Sequence, residues 1–340
     1  MKKLLVLIFA ISFIFSCKKN DNNPQPVNTK GKISGIVTQR NNSNAVGGAR
    51  IIIFNGNNNE PVTSLTTGSD GKYTVDLEPG NYYVKISKQG FDPIPFPGTD
   101  AVPFAIVTGQ TTTRDYELGA SAITNAGYIT GKVTNGSTGV ANALVVVQNG
   151  SNGYSTVTDA NGNYYIYNVP AGNYTINVYK ADLNGTSSSV TVSTNQETPN
   201  VQISASSGAG GAVSGKVSFL STSNKEVDIS LVDIFTGEAI PGLSTTTQSS
   251  NYLFSKVPNG IFLARATFKN DGLSMDPDWI IKNGLPLVTI TGNAVTKDFS
   301  VTGAVSLVSP TNVSSTTIPV TVSGIAPLLS WVDYSSANDY

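Results

Sequence analysis

The stretch Asn161–Val178, NGNYYIYNVPAGNYTINV, shows the pattern from which the fold can be predicted. Apolar side chains occupy alternate positions on either side of a Pro-Ala-Gly turn: Tyr164 and Ile166 before it, and Tyr174, Ile176 and Val178 after it. A period of two predicts strands with one buried face, and the turn residues between the strands predict a hairpin. Asn161-Gly162 predicts another tight turn before this hairpin, because both residues tolerate positive φ.

Two further stretches repeat the pattern: Asp70–Ile86 (DGKYTVDLEPGNYYVKI) and Ser250–Phe268 (SNYLFSKVPNGIFLARATF). Each hairpin follows an opening strand with a central Gly: ISGIV at 33–37, ITGKV at 129–133 and VSGKV at 213–217. A second apolar run lies between them: ARIIIF from Ala49, ALVVVQ from Ala143 and ISLVDIF from Ile229. These repeats predict three units, at 31–120, 125–206 and 211–303, joined by short linkers at 120–127 and 206–211.

The opening strand, the G-x-Y turn and the P-x-G-x-Y hairpin together resemble the carboxypeptidase regulatory-like domain, also described as transthyretin-like. The resemblance is weaker over 211–303, where Ser250-Asn251 replaces the Asp-Gly or Asn-Gly turn and residues 271–287 are inserted. It implies an all-β fold of tandem seven-stranded antiparallel β-sandwiches, of the prealbumin-like or Ig-like type and grouped with starch-binding-like folds. It implies no one activity, because such domains are appended to peptidases, outer-membrane receptors and adhesins alike.

The N-terminal residues predict a lipoprotein. Residues 1–16, MKKLLVLIFAISFIFS, join two lysines to an apolar segment too short to span a bilayer comfortably, which is typical of a signal peptide. Cys17 is the only cysteine, and its place resembles that of the lipidated cysteine of a lipobox. The alternative is an ordinary signal peptide with a chance cysteine after it. Residues 17–30 are polar and predict a lipidated, flexible tether to the outer membrane, with the chain at the cell surface or facing the periplasm.

The C-terminal residues 304–340 differ from the repeats. They resemble the opening strands of a fibronectin type III-like domain, with Trp331 as its core tryptophan. A complete sandwich of this kind needs about 90 residues, so we expect an incomplete domain here.

Composition argues against catalysis and against nucleic-acid binding. The chain of 340 residues has no histidine, which removes the usual general base and the commonest zinc ligand. Its formal net charge is −1 and only 13% of residues are charged, so no concentrated basic surface is indicated. We therefore expect no enzyme, no cofactor and no metal. The runs at Asp70 and at 159–163 are similar to calcium loops but lack the acids of one, so they predict turns.

Aromatic side chains are the candidates for ligand binding. Tyr165 and Tyr167 alternate with the core positions of their strand, so both should point outward from one sheet face, where rings can stack on sugars. The alternative is cross-strand packing. Trp279 in the insertion SMDPDWIIKNG can likewise bind a glycan or cover the end of a core.

Taken together, these features predict a non-catalytic surface lipoprotein built of spacer, adhesion or binding modules. Its expected partners are the membrane, through the lipid, and polysaccharides or other surface proteins. One alternative is a carbohydrate-binding protein of an outer-membrane polysaccharide-uptake system. A second alternative is the non-catalytic N-terminal part of a larger secreted enzyme.

Overall fold

The computed structural model describes residues 29–96, 101–186, 189–208, 210–219, 227–247, 251–268, 280–282, 286–302, 306–309, 328 and 330–332. These residues form strands, turns and irregular segments, and none of them lies in a helix. The described part accordingly contains no helix that could cross a membrane. The all-β class predicted from the repeats is confirmed.

The first unit is a sandwich of two sheets. Its strands are β1 (Gly31–Gln39), β2 (Arg50–Asn55), β3 (Pro61–Thr66), β4 (Lys72–Leu77), β5 (Gly80–Ser87), β6 (Phe104–Ile106), β7 (Thr111–Thr113) and β8 (Tyr116–Leu118). One sheet has the order β4-β1-β7, with β8 continuing along β1, and the other has the order β3-β2-β5-β6. β7 and β8 act as two halves of one last strand, which gives seven strands. This last strand runs parallel to β1, whereas the other pairs are antiparallel.

The second unit repeats this plan. Its strands are β9 (Ala126–Asn135), β10 (Thr138–Gly139), β11 (Leu144–Asn149), β12 (Asn152–Val157), β13 (Asn163–Pro170), β14 (Gly172–Lys180), β15 (Leu183–Thr186), β16 (Val190–Val192), β17 (Glu197–Ser204) and β18 (Ser206–Ser207). β10, β9, β13 and β17 form one sheet, and β12-β11-β14-β15-β18 form the other, with β16 also pairing β14. The stretch at 206–211 is not a free linker at its start, because β18 pairs with β15.

The third unit follows the same order. Its strands are β19 (Gly211–Phe219), β20 (Val227–Asp233), β21 (Ala239–Thr247), β22 (Asn251–Val257), β23 (Gly260–Phe268), β24 (Ile280–Lys282), β25 (Leu287–Ile290), β26 (Ala294–Thr296) and β27 (Phe299–Thr302). Its sheets are β22-β19-β27-β24, with β26 also on β19, and β21-β20-β23-β25. Beyond it, β28 (Ser306–Ser309) pairs antiparallel with β29 (Ser330–Val332), which contains Trp331. The fibronectin type III-like assignment of this region stays a prediction.

The glycine of each opening strand is explained by a close approach of the last strand. A Cβ added at Gly131 would lie 1.9 Å from the Val201 carbonyl oxygen, and the same clash occurs at Gly35 and Gly215. Opposite this glycine, the buried Tyr164 hydroxyl donates to the Val201 carbonyl at 2.9 Å. Glycine admits the carbonyl and the tyrosine supplies its hydrogen bond. Tyr73 in the first unit and Tyr252 in the third make the equivalent bonds, to the Arg114 and Lys297 carbonyls.

Strand β2 of the first unit and strand β11 of the second are buried on both faces. In β2, Ile51 and Ile53 point into the core of the first unit, whereas Ile52 and Phe54 belong to a cluster shared with the third unit. β11 behaves in the same way, since Val145 and Val147 face inward while Leu144 and Val146 join that shared cluster. Continuous apolar runs are typical of strands covered on both sides. The three sandwiches are therefore packed against one another.

Candidate functional site

Tyr165 and Tyr167 lie side by side on β13. Their ring centroids are 6.4 Å apart and their planes are inclined by 23°. Tyr128 of the neighbouring strand β9 extends the row, with its centroid 5.7 Å from that of Tyr167. All three side chains are half-buried, and we call them the tyrosine strip.

One end of the tyrosine strip contacts the first unit. The guanidinium of Arg50, which lies on β2, sits 5.1 Å from the centroid of the Tyr165 ring. Arg50 is only 3% exposed, and its Nη2 donates to the Ser64 hydroxyl at 3.0 Å. Burial lowers the pKa of Arg50, partly offset by the negative charge of Asp159. Tyr165 therefore stabilises the contact between units by a cation–π interaction, in addition to any role at the surface.

The other end of the strip is hydrogen-bonded to a carboxylate. Glu197 accepts from the Tyr128 hydroxyl at 3.1 Å and from the Thr130 hydroxyl at 2.5 Å. Burial raises the pKa of Tyr167, so its phenol keeps its proton at neutral pH. The strip can thus stack on a flat ligand and donate hydrogen bonds.

Asn168 joins the first two units directly. Its side-chain oxygen accepts from the Gly90 N–H at 2.9 Å, and its side-chain nitrogen donates to the Phe91 and Lys88 carbonyls at 2.7 and 3.2 Å. Its backbone N–H donates to the Gln89 side chain at 2.9 Å. Asn168 is 9% exposed and has a φ of 57°, which asparagine tolerates better than most residues.

Sequence reasoning missed both Arg50 and Asn168. The sequence did contain a signal for Asn168. Apolar residues alternate at Tyr164 and Ile166, but the next aliphatic residue is Val169 and not residue 168. The pairing of β13 with β9 shifts register at this point, as expected for a β-bulge. Arg50 offered a weaker signal, as a single cation at the start of an apolar run.

The aspartate runs that are similar to calcium loops are turns in the structure. Asp159 Oδ1 accepts from the backbone N–H groups of Asn161 and Asn163, both at 2.9 Å. Asp70 Oδ1 accepts from the Lys72 N–H at 3.1 Å. Among the residues that the structure describes, no group of three or more His, Cys, Asp or Glu could hold a metal ion.

Two of the predicted site residues, Cys17 and Trp279, lie outside the described residues. Lipid attachment at Cys17 and glycan binding at Trp279 therefore stay predictions. The structure brings Tyr165 and Tyr167 together with each other, with Tyr128 and with Arg50.

A comparison with known protein families finds one family in two ranges of the chain. The model of the carboxypeptidase regulatory-like domain matches residues 32–119 and 128–209, which together make up half of the chain. The chain belongs to this family. The third sandwich lies outside the two matched ranges. No curated protein matches the sequence.

Solved structures of bacterial proteins also match the chain, at low sequence identity. The TIE protein of Bacillus anthracis is 16% identical with a TM-score of 0.23, and the match covers 80% of this chain and 51% of that one. The chain thus spans about half the length of the TIE protein. The major pilin subunit BcpA of Bacillus cereus is 14% identical, with a TM-score of 0.23 and coverage of 80% and 99%. A DUF3823 family protein of Bacteroides uniformis is 14% identical, with a TM-score of 0.23 and coverage of 52% and 97%.

Proposed function

We propose that the chain is a non-catalytic, lipid-anchored surface protein whose three sandwiches form one rigid body that presents binding surfaces. The observation that carries this proposal is the burial of Ile52, Phe54, Leu144 and Val146 between units. In freely jointed spacers these outward positions would face water. Burying an apolar side chain of this size contributes about 1.5–3 kcal/mol, so such residues favour permanent packing over loose linkage.

Further contacts across the unit boundaries support the same proposal. Lys85 of the first unit and Glu238 of the third form an ion pair. The Ala181 N–H of the second unit donates to the Pro241 carbonyl of the third at 2.9 Å. Tyr179 packs edge-on against Phe262, with centroids 5.3 Å apart. A rigid body fixes the position of any surface that it carries, which is what a display or adhesion module needs.

The non-catalytic part of the proposal rests on the chemistry of the chain. Histidine is absent from the sequence, and Asp70 and Asp159 accept backbone hydrogen bonds within turns. Carboxypeptidase regulatory-like domains fit a binding or structural role.

The lipid anchor is tested at Cys17. In cells fed a fatty-acid analogue, Cys17→Ala should lose the label and leave the membrane fraction, whereas Ser16→Ala, which keeps a small residue before the cysteine, should behave as the wild type. Protease added to intact cells should cut the wild-type chain if it is displayed outside. Label that persists in Cys17→Ala would refute the anchor.

A second candidate function is carbohydrate binding at the tyrosine strip. It is favoured by three neighbouring half-buried tyrosine rings on one sheet face. Tyr167→Ala should abolish the retardation of the chain by a bound polysaccharide in affinity electrophoresis, and Tyr167→Phe should retain it, because the ring remains. Tyr165→Ala is the poorer test, since it also uncovers Arg50 and should lower the melting temperature. If no polysaccharide retards the wild type, the strip serves packing only.

A further inference from the structure

Consecutive sandwiches contact one another through residues at equivalent positions. Each unit has a buried aromatic residue in its hairpin, namely Tyr82, Tyr174 and Phe262. Asn168 in the second unit and Lys256 in the third both precede this residue by six positions. Both have a left-handed backbone, with φ of 57° and 61°. At both places the pairing with the opening strand shifts register, so each residue lies in a β-bulge.

The turn that each bulge contacts is also equivalent. Gly90 and Asp182 each lie eight positions after the hairpin aromatic residue of their own unit, in the turn after its fifth strand. Both are left-handed, with φ of 82° and 65°. The Gly90 N–H donates to the Asn168 side-chain oxygen at 2.9 Å, and the Asp182 N–H donates to the Lys256 carbonyl at 2.7 Å. The same donor position thus reaches the same acceptor position at both boundaries.

The second boundary has further contacts of its own around this hydrogen bond. Lys256 Nζ lies 3.3 Å from Asp182 Oδ2, but both side chains are exposed, so this ion pair contributes little. A Cβ added at Gly242 of the third unit would lie 2.8 Å from the Ala181 Cβ, which shows how closely the turn and the third unit approach. The backbone bond between Asp182 and Lys256 is therefore the contact that the two boundaries share.

The first unit differs at the equivalent position, which is Asp76. This residue does not have a positive φ, and it pairs with Lys32 in an unbroken register. Its carboxylate forms an ion pair with the Lys32 ammonium at 3.7 Å. Head-to-tail contacts continue from unit to unit unless one end differs, and here the first unit differs.

We infer that the bulges of β13 and β22 are one repeated docking site, whose partner is the left-handed turn after the fifth strand of a preceding sandwich. The second and third units carry this site at Asn168 and Lys256, and the first unit, with Asp76, begins the array. The inference rests on the proposed packing of the sandwiches. It adds a directional contact between consecutive units, distinct from the apolar cluster at β2 and β11.

Amide hydrogen exchange followed by NMR on the full chain tests both boundaries at once. The Gly90 and Asp182 N–H groups of the wild type should both be protected, because each is hydrogen-bonded across a boundary. Asn168→Gly keeps the positive φ but removes the acceptor, so Gly90 should exchange about tenfold faster while Asp182 is unchanged. Lys256→Gly keeps both the φ and the carbonyl acceptor, so Asp182 should stay protected.

Lys256→Val gives the opposite result at the second boundary. A β-branched residue disfavours positive φ, so Asp182 should exchange about tenfold faster in this variant while Gly90 is unchanged. The matched control is Asn200→Val, since Asn200 is exposed, has a φ of 57° and lies in the bulge of β17. Asn200→Val and Asp76→Gly should leave both amides as in the wild type.

Three results would overturn the docking site while leaving the packing of the sandwiches intact. These are protected amides that neither Asn168→Gly nor Lys256→Val accelerates, equal acceleration of both amides in Asn168→Gly, and acceleration of Asp182 in Lys256→Gly as strong as that of Gly90 in Asn168→Gly. The last comparison decides the matter even if Lys256→Val does not fold. Wild-type amides that exchange without protection would overturn both the docking site and the proposed packing.

Discussion

Single residues at the unit boundaries join neighbouring sandwiches through specific hydrogen bonds. Asn168 is the clearest case, because four hydrogen bonds run from it to the turn at 88–91 of the first unit. Its left-handed backbone conformation places the side chain outside the alternation of β13, where it can reach a neighbouring unit. A hydrogen bond of this kind contributes about 0.5–1.5 kcal/mol, and more where its loss leaves buried partners unsatisfied.

Asn168→Gly should lower the free energy of unfolding by about 1–3 kcal/mol, because glycine keeps the positive φ but removes the three side-chain bonds. The matched control is Asn195→Gly, since Asn195 has a φ of 54° and is exposed. Urea unfolding followed by fluorescence measures both. Equal stabilities of the two variants would contradict the role given to Asn168.

Glu60 gives the contact between the first and third units a dependence on pH. Burial raises the pKa of Glu60 above its ordinary 4.5, although the Gly242 N–H and Lys180 act in the opposite direction. An acid whose pKa is higher in the folded than in the unfolded state binds a proton more tightly when folded. Its contribution to stability is therefore complete below about pH 4.5 and is lost as the pH rises through the raised pKa.

Glu60→Gln keeps an acceptor oxygen for Gly242 but cannot titrate. From pH 4.5 to 7, the free energy of unfolding of this variant should therefore fall less steeply with pH than that of the wild type. Urea titrations at several pH values give the two slopes, and Glu117→Gln, a change at an exposed glutamate, serves as the control. Identical slopes for Glu60→Gln and wild type would show that Glu60 does not contribute as stated.

At the scale of the element, the sequence predicted the strands but not the neighbouring units that cover them. Alternation in Asn161–Val178 predicted the hairpin of β13 and β14, and Tyr164 and Ile166 are indeed buried. The runs IIIF at 51–54 and LVVV at 144–147 predicted strands as well. These runs do not alternate between apolar and polar residues, which is typical of strands buried on both faces. Which unit covers the outer face could not be predicted from the runs themselves.

The candidate site was predictable to the same degree. The outward direction of Tyr165 and Tyr167 follows from the period of two. Their contact with Arg50 could not be predicted, because it joins residues from different units whose relative placement is not encoded in a local pattern. The hydrogen bond from the Gly242 N–H to the Glu60 side chain escaped prediction for the same reason, since the two residues are 182 positions apart in the chain.

Val146 tests the outer face of β11. Val146→Thr keeps the shape of the side chain but buries a hydroxyl between units, which should cost about 1–3 kcal/mol of unfolding free energy in the full chain. Val62→Thr is the matched control, because Val62 on β3 is 43% exposed and should tolerate the change. A Val146→Thr variant as stable as Val62→Thr would mean that this face is not covered in solution.

At the scale of the whole molecule, the three sandwiches share one apolar cluster. In each unit the last strand runs parallel to the first, so the chain leaves a sandwich at the end opposite to its entry. This arrangement lets units follow one another in series. The buried outer faces of β2 and β11, together with the Lys85–Glu238 ion pair, then bring the first and third units into contact.

The most direct test of the proposed rigid body is a distance measurement by pulsed electron paramagnetic resonance. In a Cys17→Ser background, which removes the only cysteine, spin labels are placed at the exposed positions Thr74 in the first unit and Ser255 in the third. Packed sandwiches predict a single narrow distribution of distances between the two labels. A broad distribution, as given by sandwiches that move independently on flexible linkers, would contradict the account.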